Sequence, residues 1–209
     1  MRKVSLELRT YIEQKIIPLY DGFDAGHRRD HVLTVIEQSL NLAQYYDVDV
    51  NMVYAIAAYH DTGLVAGRER HHIVSGEIVC NDGQLREWFD DDQIEIMADA
   101  VVDHRASNSC EPRSIYGKIV AEADRIIDGA TIVRRTIQYG LAHYPEYDKE
   151  KHYERFVEHM NEKYAEGGYL KLWIPESPNA ERLYEFQQKI KEPGMFRALF
   201  DEMWSQLVG

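Results

Sequence analysis

Cysteine is scarce in this chain of 209 residues: Cys80 and Cys110 are the only two. They form no CxxC pair, which excludes a disulfide framework and the usual Cys/His zinc spacings. Cys80 is expected to be a buried thiol. Long apolar runs are missing too, and none reaches the length of a membrane span. The N-terminal stretch MRKVSLELRTYIEQKIIPLY is broken by charges and has no signal-peptide core. A cytoplasmic protein with no membrane partner is therefore expected. Cations are in deficit, with 24 Lys and Arg against 36 Asp and Glu and a net charge of −12. Such a surface disfavours a nucleic-acid polymer, whose binding depends on neutralisation by Lys and Arg. A small phosphorylated partner is not excluded, because a divalent metal and a few local cations make a positive pocket in a negative protein. Alternating strand patterns and internal repeats are also absent.

Helical periodicity is present throughout. Leu8, Ile12, Ile16 and Leu19 predict one face of a first helix, disturbed at its end by Pro18. Val32, Val35, Ile36, Leu40 and Ala43 form a second stripe, and residues 51–60 are apolar nearly all round, as in a buried central helix. Gly63 is placed to stop that helix. Later stripes run through Ile94, Met97, Val101 and His104, then through Tyr116, Val120, Ala123 and Ile127. GGYLKLW (167–173) breaks the pattern and is expected to be a loop with a short extended piece or flap. Phe196, Leu199, Phe200, Met203, Trp204 and Leu207 predict a C-terminal helix that packs on the domain or on a second subunit, making a homodimer. The reading is all-α, a single domain over 1–209, with roughly eight to ten helices.

A His-Asp doublet, His60-Asp61, closes the apolar run MVYAIAAYH. Burying such groups without partners costs several kcal/mol, about enough to demand a cation or a hydrogen-bonding network opposite them. His31, His72, His104 and Asp124 also fall where apolar stripes meet turns. Imidazole and carboxylate are ligand types for zinc, manganese, iron and related ions. His31, His60, Asp61 and Asp124, if brought together, would supply four protein ligands and leave positions for water and substrate. Taken singly, each His reads first as a hydrogen-bonded or surface residue rather than a ligand, and Asp124 equally as an ion-pair partner of Arg125 or Arg134.

The order H…HD…D resembles the HD-domain superfamily of metal-dependent phosphohydrolases. GHRRDHVLTVIEQSLNLA (26–43), AIAAYHDTG (55–63) and IVAEADRIIDGATIVRRTIQYG (119–140) are similar to its motifs in context as well as letters. The resemblance spans about residues 24–140, a metal-site core followed by C-terminal helices over 148–209. It implies an HD-type helical bundle with a divalent metal (Mn, Fe, Co, Ni, Zn or Mg) at His31, His60, Asp61 and Asp124. It also implies hydrolysis of a small phosphate ester or anhydride, with a nucleotide as the expected substrate. The alternative is a catalytically weak nucleotide-binding or sensing module. His72, one turn before Gly76, resembles a ligand of two-metal members, so His72 and His104 could hold a second ion bridged by Asp61, with His71 able to replace His72. The rival role for His72 and His104 is contact with substrate phosphate. Asp61 would bridge or orient the metal, and Asp128 or Glu77 would handle the proton of the attacking water. His27, Arg105 and Arg125 are the candidates for substrate phosphate, Arg125 being equally placed to pair with a carboxylate. Glu122, two residues before Asp124, departs from the pattern and is expected to face solvent or Arg125.

Overall fold

The computed structural model describes residues 3–24, 26–108 and 110–208. Among them are ten α-helices, several short 3₁₀ turns and no strand, the all-α architecture expected. The chain divides into two compact units, one comprising 1–125 with 173–177, the other 126–172 with 178–209. No helix of the described residues is long and apolar enough to cross a membrane.

The first unit holds α1 (Leu6–Lys15), α2 (Arg29–Leu42), α3 (Val50–Tyr59), α4 (His71–Asn81), α5 (Asp91–Asp103) and α6 (Ile115–Asp124). Asp49 caps α3 by accepting from the Asn51 N–H, and every residue from Met52 to Tyr59 is buried. Such an all-round apolar helix is stable only with neighbours on every side. Here α1, α2, α4, α5 and α6 supply them. Capping sharpens the neighbours' starts: Asp90 and Gln93 form a reciprocal capping box on α5, and Ser114 caps α6.

The first stripe departs from expectation at its end. The α-helix stops at Lys15 and the chain continues as a 3₁₀ turn over Ile17–Gly22, with Pro18 in its first turn. The tighter 3.0-residue period moves the inward position to Tyr20, which is fully buried, while Leu19 is 41% exposed. Cys80 is exposed rather than buried. On α4 the inward positions are taken by Ser75, Gly76 and Val79, and Cys80 lies one residue round from them.

Segment 167–173 forms no strand. Its last residue begins the stretch that belongs to the first unit: the Trp173 N–H donates to Glu122 Oε2 at 2.7 Å, and Ile174 is buried in the core. Glu122 is thus fully buried, not solvent-facing. Tyr46 donates to Glu176 in the same stretch. A Glu122→Gln variant keeps shape and one acceptor oxygen but loses the charge-assisted bond. It is expected to destabilise the first unit by about 1–2 kcal/mol, read as a lower urea midpoint with an unchanged slope.

The second unit holds α7 (Gly129–His143), α8 (Lys149–Lys163), α9 (Asn179–Ile190) and α10 (Pro193–Val208). Its core is aromatic: Phe156 stacks on Phe196 with centroids 4.7 Å apart, and Phe186 and Phe200 are buried beside them. The C-terminal stripe buries Phe196, Phe200 and Met203, with α10 packed on α7 and α9.

Candidate metal centre

The side chains singled out in sequence meet at helix ends in the first unit. His60 and His104 are the C-terminal caps of α3 and α5, Asp124 is the last residue of α6, and Asp61 follows His60 in a tight turn. His31 lies in the first turn of α2, and His71 opens α4. Three helices thus bring their C-terminal ends to one locus, and α2 and α4 their N-terminal turns, so the preference for a cation rests on the side chains rather than on helix dipoles.

Two groups of ligand atoms form there. In the first, His31 Nε2 lies 3.2 Å from His60 Nε2, 3.2 Å from Asp124 Oδ1 and 3.5 Å from Asp61 Oδ2. His60 Nε2 is 3.2 Å from Asp61 Oδ2 and 3.8 Å from Asp124 Oδ1. In the second, Asp61 Oδ1 lies 3.4 Å from His71 Nε2 and 3.5 Å from His104 Nε2, which are 3.4 Å apart. Ligand atoms about 2.1 Å from a shared ion sit roughly 3.0 Å apart at octahedral and 3.4 Å at tetrahedral angles. The second group matches that spacing, and so does the first apart from the longer 3.8 Å between His60 and Asp124; Asp61 gives one oxygen to each.

The donor chemistry fits a cation too. His60, His71 and His104 each donate Nδ1–H to a backbone carbonyl, of Ala57 at 2.7 Å, Arg68 at 2.7 Å and Val101 at 2.6 Å. That bond fixes the tautomer, and a neutral ring so held presents a bare Nε2. With neutral rings the second group is three acceptors facing one another, relieved by a bound cation or by a proton on His104 Nε2, whose hold on that proton Asp61 raises against the burial of the ring. His31 Nδ1, by contrast, is buried without a partner.

Electrostatics point the same way. Burial works against charge on Asp61, but the charge of His60 and hydrogen bonds from His104, His31 and His60 hold its carboxyl well below the usual range. Burial likewise opposes Asp124, and His31, through both hydrogen bond and charge, holds it far down. His31 is raised to about 9 against its own burial by the hydrogen bonds of Asp124 and Asp61. His71 moves down, chiefly by burial. Both acids stay ionised, and protons on the facing imidazoles, His31 first, balance them at the place a bound cation would take.

His71, rather than His72, meets Asp61. Around α4 the i, i+4 pair His71 and Ser75 faces the turn after the doublet: Ser75 Oγ accepts the Gly63 N–H at 2.8 Å. The next pair, His72 and Gly76, is rotated toward α5, where a Cβ on Gly76 would lie 2.7 Å from Val102 Cγ2. His72 Nδ1 accordingly faces Arg105 Nη1 at 3.3 Å, and Arg105 also donates to the Glu69 carbonyl at 2.6 Å.

The remaining candidates lie as follows. His27 packs edge-on against His31, centroids 5.7 Å apart, and its Nδ1 is 2.8 Å from Asp24 Oδ1. Arg125 is buried and folds back to donate to the Ala121 carbonyl, with its Nε unpartnered. Glu77 is exposed on α4 and lines a surface cavity with Asn81 and Asp82, outside both groups. Asp128 caps α7, accepting from the Thr131 N–H at 2.8 Å, and belongs to the second unit.

Tyr20 carried no signal in the sequence beyond an apolar neighbourhood. Its hydroxyl donates to the Ala58 carbonyl at 2.9 Å and accepts the Asp61 N–H at 3.2 Å, tying together the two sides of the doublet. Tyr20→Phe leaves both backbone groups buried and unpaired. A loss of about 1–3 kcal/mol in stability is expected, with weaker metal retention, measured by urea unfolding and by chelator competition.

The sequence model of the HD domain matches residues 28–128. A crystal structure of a predicted HD superfamily hydrolase from an uncultured Thermotogales bacterium aligns at a TM-score of 0.49 and 20% identity, over 73% of this chain and 82% of that one. No protein of curated function matches.

Proposed function

With residues 28–128 forming an HD domain, we propose that this protein is a metal-dependent phosphohydrolase acting on a small phosphate ester or anhydride, with a nucleotide as the expected substrate. The observation that carries the reading is Asp61: one buried carboxylate, with its two oxygens serving two separate sets of imidazoles. His31, His60, Asp61 and Asp124 would hold one divalent ion, and Asp61, His71 and His104 a second. Such ions, when bound, supply Lewis-acid stabilisation of phosphoryl oxygens and a water of lowered pKa.

The chain's own residues supply the rest. Arg105 is anchored through Nη1 on the Glu69 carbonyl and His72. In this proposal its remaining donors take a substrate phosphate oxygen, and His72 positions the guanidinium instead of ligating metal. His27, held at Nδ1 by Asp24, offers Nε2 to the same phosphate. Burial excludes bulk water from His31, His60 and Asp61, which strengthens every charge interaction among them.

Metal content of protein purified without added ions, followed by phosphate release from nucleotides, pyrophosphate and p-nitrophenyl phosphate with Mn²⁺, Co²⁺ or Mg²⁺, tests the reading. Stoichiometric metal with turnover is expected. Metal and nucleotide binding without release would instead make the protein a sensing module, and no metal at all would end the proposal. Arg105→Ala is expected to lower kcat/KM roughly 10- to 100-fold, the worth of a charge-assisted hydrogen bond, at unchanged metal content. A matching loss of metal would place Arg105 in structural support instead.

A further inference from the structure

The second unit contains a cavity of about 810 Å³ along α8, where Tyr144 and Tyr147 of the preceding turn meet Lys151, Glu154, Arg155 and Glu158. Its size suits a small-molecule ligand. Its two basic lining residues, Lys151 and Arg155, make no ion pair among the described residues. Arg155 is half-buried, donates from Nη2 to the Thr136 carbonyl at 2.5 Å, and lies 5.6 and 5.7 Å from the ring centroids of Tyr139 and Tyr144. Lys151 Nζ lies 5.5 Å from the Tyr147 ring centroid. Cations laid on aromatic faces, and not paired with the Glu154 and Glu158 that share the lining, keep donors free for an anion, because the rings fix the charge without neutralising it.

The backbone beneath makes room for this. A Cβ on Gly140 of α7 would lie 2.8 Å from His152 Nδ1 and 2.9 Å from Arg155 Nη2. The helix therefore forgoes a side chain at the point where these two groups approach. His152 is itself 2% exposed, between the Tyr147 and Trp204 rings, with neither ring nitrogen partnered.

We propose that this cavity is a second ligand site, separate from the metal centre, for a nucleotide-class anion. Lys151 and Arg155 take the phosphate, the Tyr144 and Tyr147 pair offers an aromatic face to the base, and Glu154 and Glu158 accept from sugar hydroxyls or an exocyclic amine. Inorganic phosphate satisfies only the first of these contacts, so it binds more weakly than a nucleotide.

Calorimetric titration of the full chain with AMP, GMP and inorganic phosphate tests this, in the wild type, in Asp61→Ala and in Arg155→Gln. One nucleotide is expected to bind Asp61→Ala as it binds the wild type at this site, since no metal ligand is involved. Arg155→Gln is expected to weaken that binding at least tenfold with circular dichroism unchanged. Should Arg155→Gln fold poorly, exposed Lys151→Ala supplies the same comparison with a smaller loss. Binding abolished by Asp61→Ala and untouched by Arg155→Gln and Lys151→Ala would assign all nucleotide to the metal centre and overturn the proposal. So would the absence of nucleotide heat at millimolar concentration in Asp61→Ala. Neither result bears on whether the metal centre hydrolyses phosphate, which the wild-type turnover assay decides alone.

Discussion

Asp61→Ala protein is expected to purify free of stoichiometric metal and to lose at least about 10³-fold of any phosphohydrolase activity, several kcal/mol of transition-state stabilisation. Among the described residues, no other side chain pairs with both ligand groups. Oδ2 lies within 3.5 Å of His31 and His60, and Oδ1 within 3.5 Å of His71 and His104. Removing the carboxylate leaves the first group with two imidazoles and Asp124, and the second with two imidazoles alone. Helical content should survive, because Asp61 follows the cap of α3 and its backbone N–H keeps Tyr20 as partner. His104→Ala provides the contrast. It touches only the Oδ1 side, so it should cost one equivalent of metal and leave the other in place. Plasma emission analysis of the purified variants reads both outcomes. Full metal occupancy in Asp61→Ala would remove the carboxylate from the centre and the hydrolase reading with it.

The primary cluster was legible in the sequence because each member combines a costly residue type with an apolar surround. His31, His60, Asp61 and Asp124 all sit where a core face meets a turn, and convergence was the economical way to satisfy four such groups. Adjacent residues defeated the same logic. His71 and His72 are about 100° apart on one helix, and composition alone does not tell which faces inward. The answer lay in partners that are remote in sequence: Ser75 seats α4 against Gly63, and Gly76 seats it against α5. Tyr20 was hidden for a related reason. A change from α to 3₁₀ winding after Lys15 shifted the inward position from Leu19 to Tyr20, and stripe counting assumes a constant pitch. Glu122 read as a surface acid because its partner, the Trp173 N–H, lies 51 residues away.

Gly63 shows how one sequence signal can stand for a different physical demand. Placed just past the doublet, it suggested a left-handed helix stop, but its φ is not positive, the described positive-φ glycines being Gly67 and Gly167. Close approach is what requires glycine here. A Cβ at position 63 would fall 2.0 Å from the His71 carbonyl oxygen and 2.5 Å from the Ser75 N. Both are backbone atoms of α4, so no rotamer change relieves the clash and the helix itself must move. Gly63→Ala is therefore expected to cost about 3 kcal/mol, the upper part of the usual overpacking range. It should also displace His71, whose carbonyl meets the new methyl, and so release the metal of the second group first. Gly76→Ala is the internal control, since its closest contact would be one side-chain methyl, Val102 Cγ2 at 2.7 Å, and the nearest backbone atom, the Ala98 carbonyl oxygen, would lie at 3.2 Å. It should unfold at higher urea than Gly63→Ala and keep more metal. Equal stability and metal content in the two variants would mean that α4 slides freely over the doublet, and that His71 is not held at Asp61 by this contact.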